Sequence, residues 1–453
     1  MTNIDSRTIA QGRSWKLQAA EDGSAPAVHP RNAREAAQID ADGDGVCSDA
    51  EIETYLRGTH DILPKAQVNV QDVVLEFKQH LEGTPNRAAK GYRSLEKMEQ
   101  EMHALADAHP DLVQMQSIAK TAEGRDVWAL KITSDAQGDT TNKPGVVITG
   151  THHAREWMTP EVTLQLAEDL ANKYGTDTDA KRRLDNAELW FIPVVNPDGF
   201  QYSRTEDSWW RKNRTPVYDT ECPGSGNGHG TPIEYGVDLN RNYWDGNPDH
   251  MKYFRAEGDT PCSTWDDVGA SDDPGSDTFR GKPGQEPEVA ALMQLEYQRP
   301  NIKGVLDHHS YGGSLLRPWG HTEDIPENVA DYDAVAARMN AAQGNNAYDY
   351  HQSVLDYPTF GSSETCHQAN GKLNFTIEMG SSFQPDYKAF KGMYKDVSSA
   401  DLAFVDFIIE KNPVQAPAPP PTPDPTPAPE PPPPSDGSSQ EPCPPAPPST
   451  VAA

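Results

Sequence analysis

"GVVITGTHHAREWMTPEVTLQLAEDLANKYG", residues 145–175, reads as strand, turn and helix in succession. Its first six residues form the short apolar run of a strand buried on both faces, and residues 160–175 carry apolar side chains at helical spacing. Between them His153 and Glu156 stand three apart, an H-x-x-E arrangement on the turn that leaves the strand. Two ligands so placed can face one ion. A neutral imidazole from another strand end completes a three-ligand site with one open position, the pattern of catalytic zinc. His309 supplies it at the end of "GVLDHH" (304–309). His152 and His308 directly precede two of these residues. Neighbours on extended backbone point to opposite faces, so both are read as supporting groups.

Outward from this stretch, "DVWALKI" (126–132), "LWFIPVV" (189–195) and "LNFTIE" (373–378) read as further strands. "SLEKMEQEMHALADAH" (94–109), "DYDAVAARMNAAQ" (331–343) and "MYKDVSSADLAFVDFIIEKN" (393–412) read as helices. Such alternation indicates an α/β domain over residues 89–411, with a mixed, largely parallel central sheet flanked by helices. A polar N-terminal segment (1–88) precedes it and a Pro-rich tail (412–453) follows. Of the 40 prolines, 18 lie between Pro413 and Pro448, a composition that favours extended, disordered chain.

Lys and Arg number 39 against 69 Asp and Glu, a net charge of −30 that argues against nucleic acid as a partner. No apolar run approaches the ~20 residues of a membrane span. The opening residues lack the apolar core of a signal peptide, yet the acidity and the Pro-rich tail favour an extracellular or secreted protein. Five cysteines without a C-x-x-C pair leave the redox compartment open, and nothing in the sequence sets the oligomeric state.

"DADGDGVCSDAE" (40–51) carries a second metal signal. Asp40, Asp42 and Asp44 fall at loop positions 1, 3 and 5, Gly45 at 6, the Val46 carbonyl at 7, Ser48 at 9 and Glu51 at 12. That is a full EF-hand-type loop, so the N-terminal segment is expected to be small, helical and calcium-binding, with "RNAREAAQI" and "SDAEIETYLRG" as its flanking helices.

"GTHHAREWMTPE", "NPDGF", "WRKNR", "GVDLNRN", "HSYGG", "YPTFGSS" and "NFTIEMG" follow one another in the order found in zinc metallocarboxypeptidases, and the chain resembles that carboxypeptidase A/B-like family from about Gly91 to Lys411. The resemblance implies a carboxypeptidase-like fold and an exopeptidase that removes single residues from peptide or protein C-termini. It makes His153, Glu156 and His309 the zinc ligands and Glu378 the general base. It gives Arg211 the oxyanion, ahead of nearby Lys212 and Arg214. Asn240, Arg241 and Tyr357 match the groups that hold the terminal carboxylate, and Arg155 matches one that contacts substrate further from the scissile bond. The family's pocket-floor position falls on Glu364, where an acid implies a preference for C-terminal Lys or Arg over a mixed or apolar one. The resemblance also makes a Cys222–Cys262 disulfide plausible in an exported protein and residues 1–88 a candidate propeptide. Two other readings stand beside this one: a related zinc peptidase acting on cell-wall peptides, and a calcium-binding interaction protein on an inactive peptidase scaffold.

Overall fold

The computed structural model describes residues 32–43, 47–59, 68–82, 90–218, 234–256 and 269–414. Three helices come first: α1 (Ala33–Ile39), α2 (Asp49–Gly58) and α3 (Val70–Glu82). There follow α4 (Leu95–Ala108), β1 (Val113–Lys120), β2 (Asp126–Ile132), β3 (Gly145–Gly150), α5 (Met158–Lys173), α6 (Thr178–Asn186), β4 (Glu188–Ile192) and α7 (Pro197–Thr205). A two-stranded ribbon, β5 (Pro216–Val217) with β6 (Glu234–Tyr235), precedes α8 (Met251–Phe254) and α9 (Pro287–Gln298). The chain closes with β7 (Ile302–His309), β8 (Ser314–Arg317), α10 (Val329–Gln343), β9 (Asp349–Gln352), α11 (Ser363–Ala369), β10 (Leu373–Glu378) and α12 (Phe390–Lys411).

Eight strands form one mixed sheet in the order β1-β2-β4-β3-β7-β10-β8-β9. Its centre, β4-β3-β7-β10, is parallel. Strands at the centre of such a sheet have helices on both faces and read as continuous apolar runs. Val146, Ile148, Leu306 and Phe375 enter one core with α5 and α12, while Val147, Val305 and Ile192 enter another with α9. This is the fold the alternating pattern predicts. The strand read over 189–195 stops at Ile192, because Pro193 has no N–H to continue the ladder.

A third core is built by the N-terminal helices. Ile52, Leu56, Val73 and Phe77, none measurably exposed, pack with Trp209, Tyr311 and Phe383. Helix α2 starts with a capping box, in which the Ser48 and Glu51 side chains each bond the other's backbone N–H. The segment expected to be helical is therefore helical at α1 and α2, and α3 adds a third helix of 13 residues. Of the calcium-loop residues, Asp44, Gly45 and Val46 lie outside the described residues, as do Cys222, Cys262 and the tail beyond Val414. Among the described residues no helix is long and apolar enough to cross a membrane.

Candidate active site

The parallel ladder brings the reactive ends together. Strand β3 ends at Gly150, and Thr151, at φ 60°, turns the chain sharply so that 152–157 run across the sheet's C-terminal edge. In the register of β7 with β10, Glu378 lies beside His309. Switch points beyond the carboxyl ends of parallel strands are where open α/β sheets bind ligands.

His153 Nδ1 is 2.6 Å from Glu156 Oε1, His309 Nδ1 is 3.1 Å from Glu156 Oε2, and the two Nδ1 atoms are 3.1 Å apart. Bonds of ~2.0–2.1 Å in a tetrahedral zinc site set donor atoms roughly 3.3 Å apart, so this all-buried donor set fits the metal. The remote imidazole nitrogens face carboxylates. His309 Nε2 lies 3.1 Å from Asp307 Oδ2, and His153 Nε2 lies 3.3 Å from Asp238 Oδ1. Such partners fix the tautomer that leaves Nδ1 free to ligate. Burial alone would raise both acids. The His152 and His309 rings beside Asp307, and Arg211 and His153 beside Asp238, hold each well below the usual carboxylate range.

A second group, His152, Asp307 and His309, has potential ligand atoms within 4.8 Å of one another. Here protein donors already fill the carboxylate. Oδ1 accepts from Thr149 Oγ1 at 2.8 Å and lies 2.8 Å from His152 Nδ1, and Oδ2 accepts from Ser363 Oγ at 2.5 Å. His308 obeys the alternation argument and points the other way, onto Thr163 and Asp401. His152 escapes it, because the chain has left the strand at Thr151. Neither Asp307 nor Asp238 was singled out from sequence. The available signal was Asp307 at i−2 of His309, on the same face of one strand.

A cleft of about 860 Å³ opens over these atoms. Arg211 lines it with its guanidinium on Asp238, at 3.0 and 2.9 Å from Nε and Nη2. Arg241, 2% exposed, donates Nη1 to the Asn240 carbonyl at 2.7 Å and Nε to the Gly269 carbonyl. Asn240 Oδ1 accepts from Ser363 N at 2.8 Å. Tyr357 borders the same cleft, its ring 6.0 Å from the Arg241 guanidinium. Glu364 is buried in the first turn of α11, where Oε1 accepts from Ser353 and Thr359 hydroxyls at 3.2 Å each. Arg155 lies between the Trp209 and Phe383 rings, 3.3 Å from Asp277. Ten sequence-predicted residues thus border one cavity. Asp40, Asp42 and Glu51 sit apart, with carboxylate oxygens within 4.8 Å of one another. Glu51 accepts from Ala41 N, Ser48 N and Ser48 Oγ.

The family model for zinc carboxypeptidases matches residues 98–397. The chain belongs to the zinc carboxypeptidase family. Rat carboxypeptidase B is 30% identical over 338 residues, covering 73% of each chain, and rat carboxypeptidase A1 is 30% identical over 329, covering 69% of this chain and 70% of that one. The fold is also that of bovine thrombin-activatable fibrinolysis inhibitor bound to tick carboxypeptidase inhibitor, at TM-score 0.59 and 22% identity, covering 71% of this chain and 98% of that one. As a zinc carboxypeptidase the protein is a hydrolase of the exopeptidase kind.

Proposed function

We propose that this zinc carboxypeptidase removes single C-terminal residues, Lys and Arg preferentially, with His153, Glu156 and His309 holding the metal. The observation that carries the reading is the one cleft bordered by the three ligands, Glu378, Arg211 and the terminal-carboxylate group. When bound there, zinc supplies Lewis-acid polarisation of water and of the scissile carbonyl. Arg241 grips the terminal carboxylate with a planar fork that its two backbone carbonyl contacts hold in place, and Asn240 and Tyr357 flank it. Glu378, beside His309 in the sheet, takes a proton from the attacking water and returns it to the leaving amine. Arg211, fixed by Asp238, donates to the oxyanion as charge develops on it. Glu364 meets the side chain of the departing residue. A buried carboxylate facing a cavity favours a cationic occupant and disfavours an apolar one, which would leave it unpaired.

The test is mass spectrometry of peptides differing only in a last residue of Arg, Lys, Phe or Leu, with free and amidated termini, before and after chelation. Loss of one residue from the free Arg and Lys peptides, abolished by chelation, is expected. Preference for Phe or Leu would remove Glu364 from its role, and cleavage of amidated peptides would remove Arg241 from its own.

A further inference from the structure

The cleft is not walled by the catalytic domain alone. Glu35 and Gln38 from α1, Tyr55 and Thr59 from α2 and its cap, and His80 from α3 face the same cavity as the metal-binding triad. The seam between these helices and the rest is well built. His80, 8% exposed, has Nδ1 2.7 Å from Asp207 and Nε2 2.9 Å from Glu35. Phe77 meets the Trp209 ring edge-on at 4.9 Å, and Trp209 and Tyr311 both pack on Phe383. Asn69 N donates to the Ser381 carbonyl at 3.0 Å, and Glu76 accepts from Ser382 Oγ and Gln384 N. Residues 381–384 follow closely on Glu378, so the seam begins a few residues from the proposed base.

A segment lying across the opening would fill the cavity. These helices instead border it, and among the described residues it is continuous from Glu364 past the triad to His80. The two ends differ. Glu364, Ser353 and Thr359 close one, and Arg155, Asp277, Asp207 and Glu35 line the other. A peptide that follows this cleft with its last residue at the Glu364 end has its upstream residues toward the Glu35 end.

Resting on the carboxypeptidase reading, we propose that α1–α3 form the substrate wall upstream of the scissile bond and favour peptides with basic residues there. Among the described residues, Glu35, Asp207, Asp273 and Asp277 carry four negative charges along this end, against His80, Arg155 and the neighbouring Lys212. The surplus is negative, and screening by salt weakens its effect on a charged substrate.

The experiment uses the full chain, a blocked two-residue substrate and an eight-residue peptide with the same C-terminal residue, the latter with Lys or Glu at upstream positions. The probe variant is Gln38→Arg, at an exposed position on α1. The ratio of kcat/KM for the long Lys peptide to that for the short substrate is expected to fall about 5-fold or more in the variant, and the fall to shrink at high salt. Turnover of both substrates with an unchanged ratio overturns this inference alone. Faster turnover of both lengths in Phe77→Ala, which loosens the helices, would make the segment inhibitory and also overturn it. Release of no residue from any peptide by the parent chain overturns the carboxypeptidase reading and this one with it.

Discussion

Replacing Asp307 with asparagine should loosen the metal site without touching a ligand. The carboxylate receives Thr149 and His152 at Oδ1 and Ser363 and His309 at Oδ2, every contact between 2.5 and 3.1 Å. Asparagine keeps the shape and loses the charge. With its oxygen toward His309 the tautomer survives, but the imidazole becomes a poorer donor to a cation. With its amide toward His309, two N–H groups meet, and the ring must move its proton to Nδ1, the nitrogen that faces Glu156 and His153. Losing such a partner lowers metal affinity ~10- to 100-fold, or about 1.4–2.7 kcal/mol. Zinc saturating the parent by a fixed factor would therefore stabilise the variant by about that much less. Competition with a chromophoric chelator reads the affinity, and melting with and without zinc reads the stabilisation. Zinc affinity within about 2-fold of the parent, in a variant that keeps its circular dichroism, would refute the reasoning.

Glu378→Gln should lower kcat ~10²- to 10⁴-fold, the range of general acid–base catalysis, with zinc content retained; undiminished turnover would take the base role from Glu378. Gly361, at φ 69°, lies so close to the Arg241 carbonyl that an added Cβ would collide with it. Gly361→Ala should therefore destabilise by about 1–3 kcal/mol and raise KM, checked by thermal unfolding and steady-state kinetics. His80 is pushed up to about 9 from a usual value near 6.5; burial opposes the shift, and the Asp207 and Glu35 carboxylates outweigh it. A pKa raised on folding gives stability that is complete below pH 6.5 and is lost as pH rises through about 9. The Phe77 and Trp209 rings that also pack against His80 carry no charge. Urea midpoints should fall between pH 6 and 9.5, and the fall should flatten in His80→Gln.

The parallel centre of the sheet was legible because buried strands show themselves as apolar runs. "GVVITG" and "LNFTIE" match their strands residue for residue, as does "DVWALKI", the antiparallel strand beside that centre. Strand β1, "VQMQSIAK", was not assigned. It is an edge strand with mostly half-buried side chains, and its sequence has little contrast between faces. Helix α3 places Val70, Val73, Val74, Phe77 and Leu81 at helical spacing, so its signal was present though unused. The cluster of proposed ligands was legible because H-x-x-E compresses two of them onto one turn. The pairings of Asp238 with His153 and of His80 with Asp207 join residues 85 and 127 positions apart, and no local pattern foretells them. The opposite-face argument worked for His308, inside a strand, and stopped applying to His152 one residue past a turn.

Glu378 and His309 are rungs of neighbouring parallel strands, set ~4.8 Å apart by the ladder. That spacing is a constant of the sheet and cannot be tuned by small adjustments. A one-residue slip of β10 would put Ile377 where Glu378 stands and exchange the side chains that its two buried faces present, so this pair admits no half-measures. Arg211, Arg241, Tyr357 and Glu364 come instead from loops and short helical turns whose lengths can drift. Descendants of this chain can accordingly exchange one cargo for another while the hydrolytic centre stays where it is, and a lineage that loses hydrolysis should do so in one step.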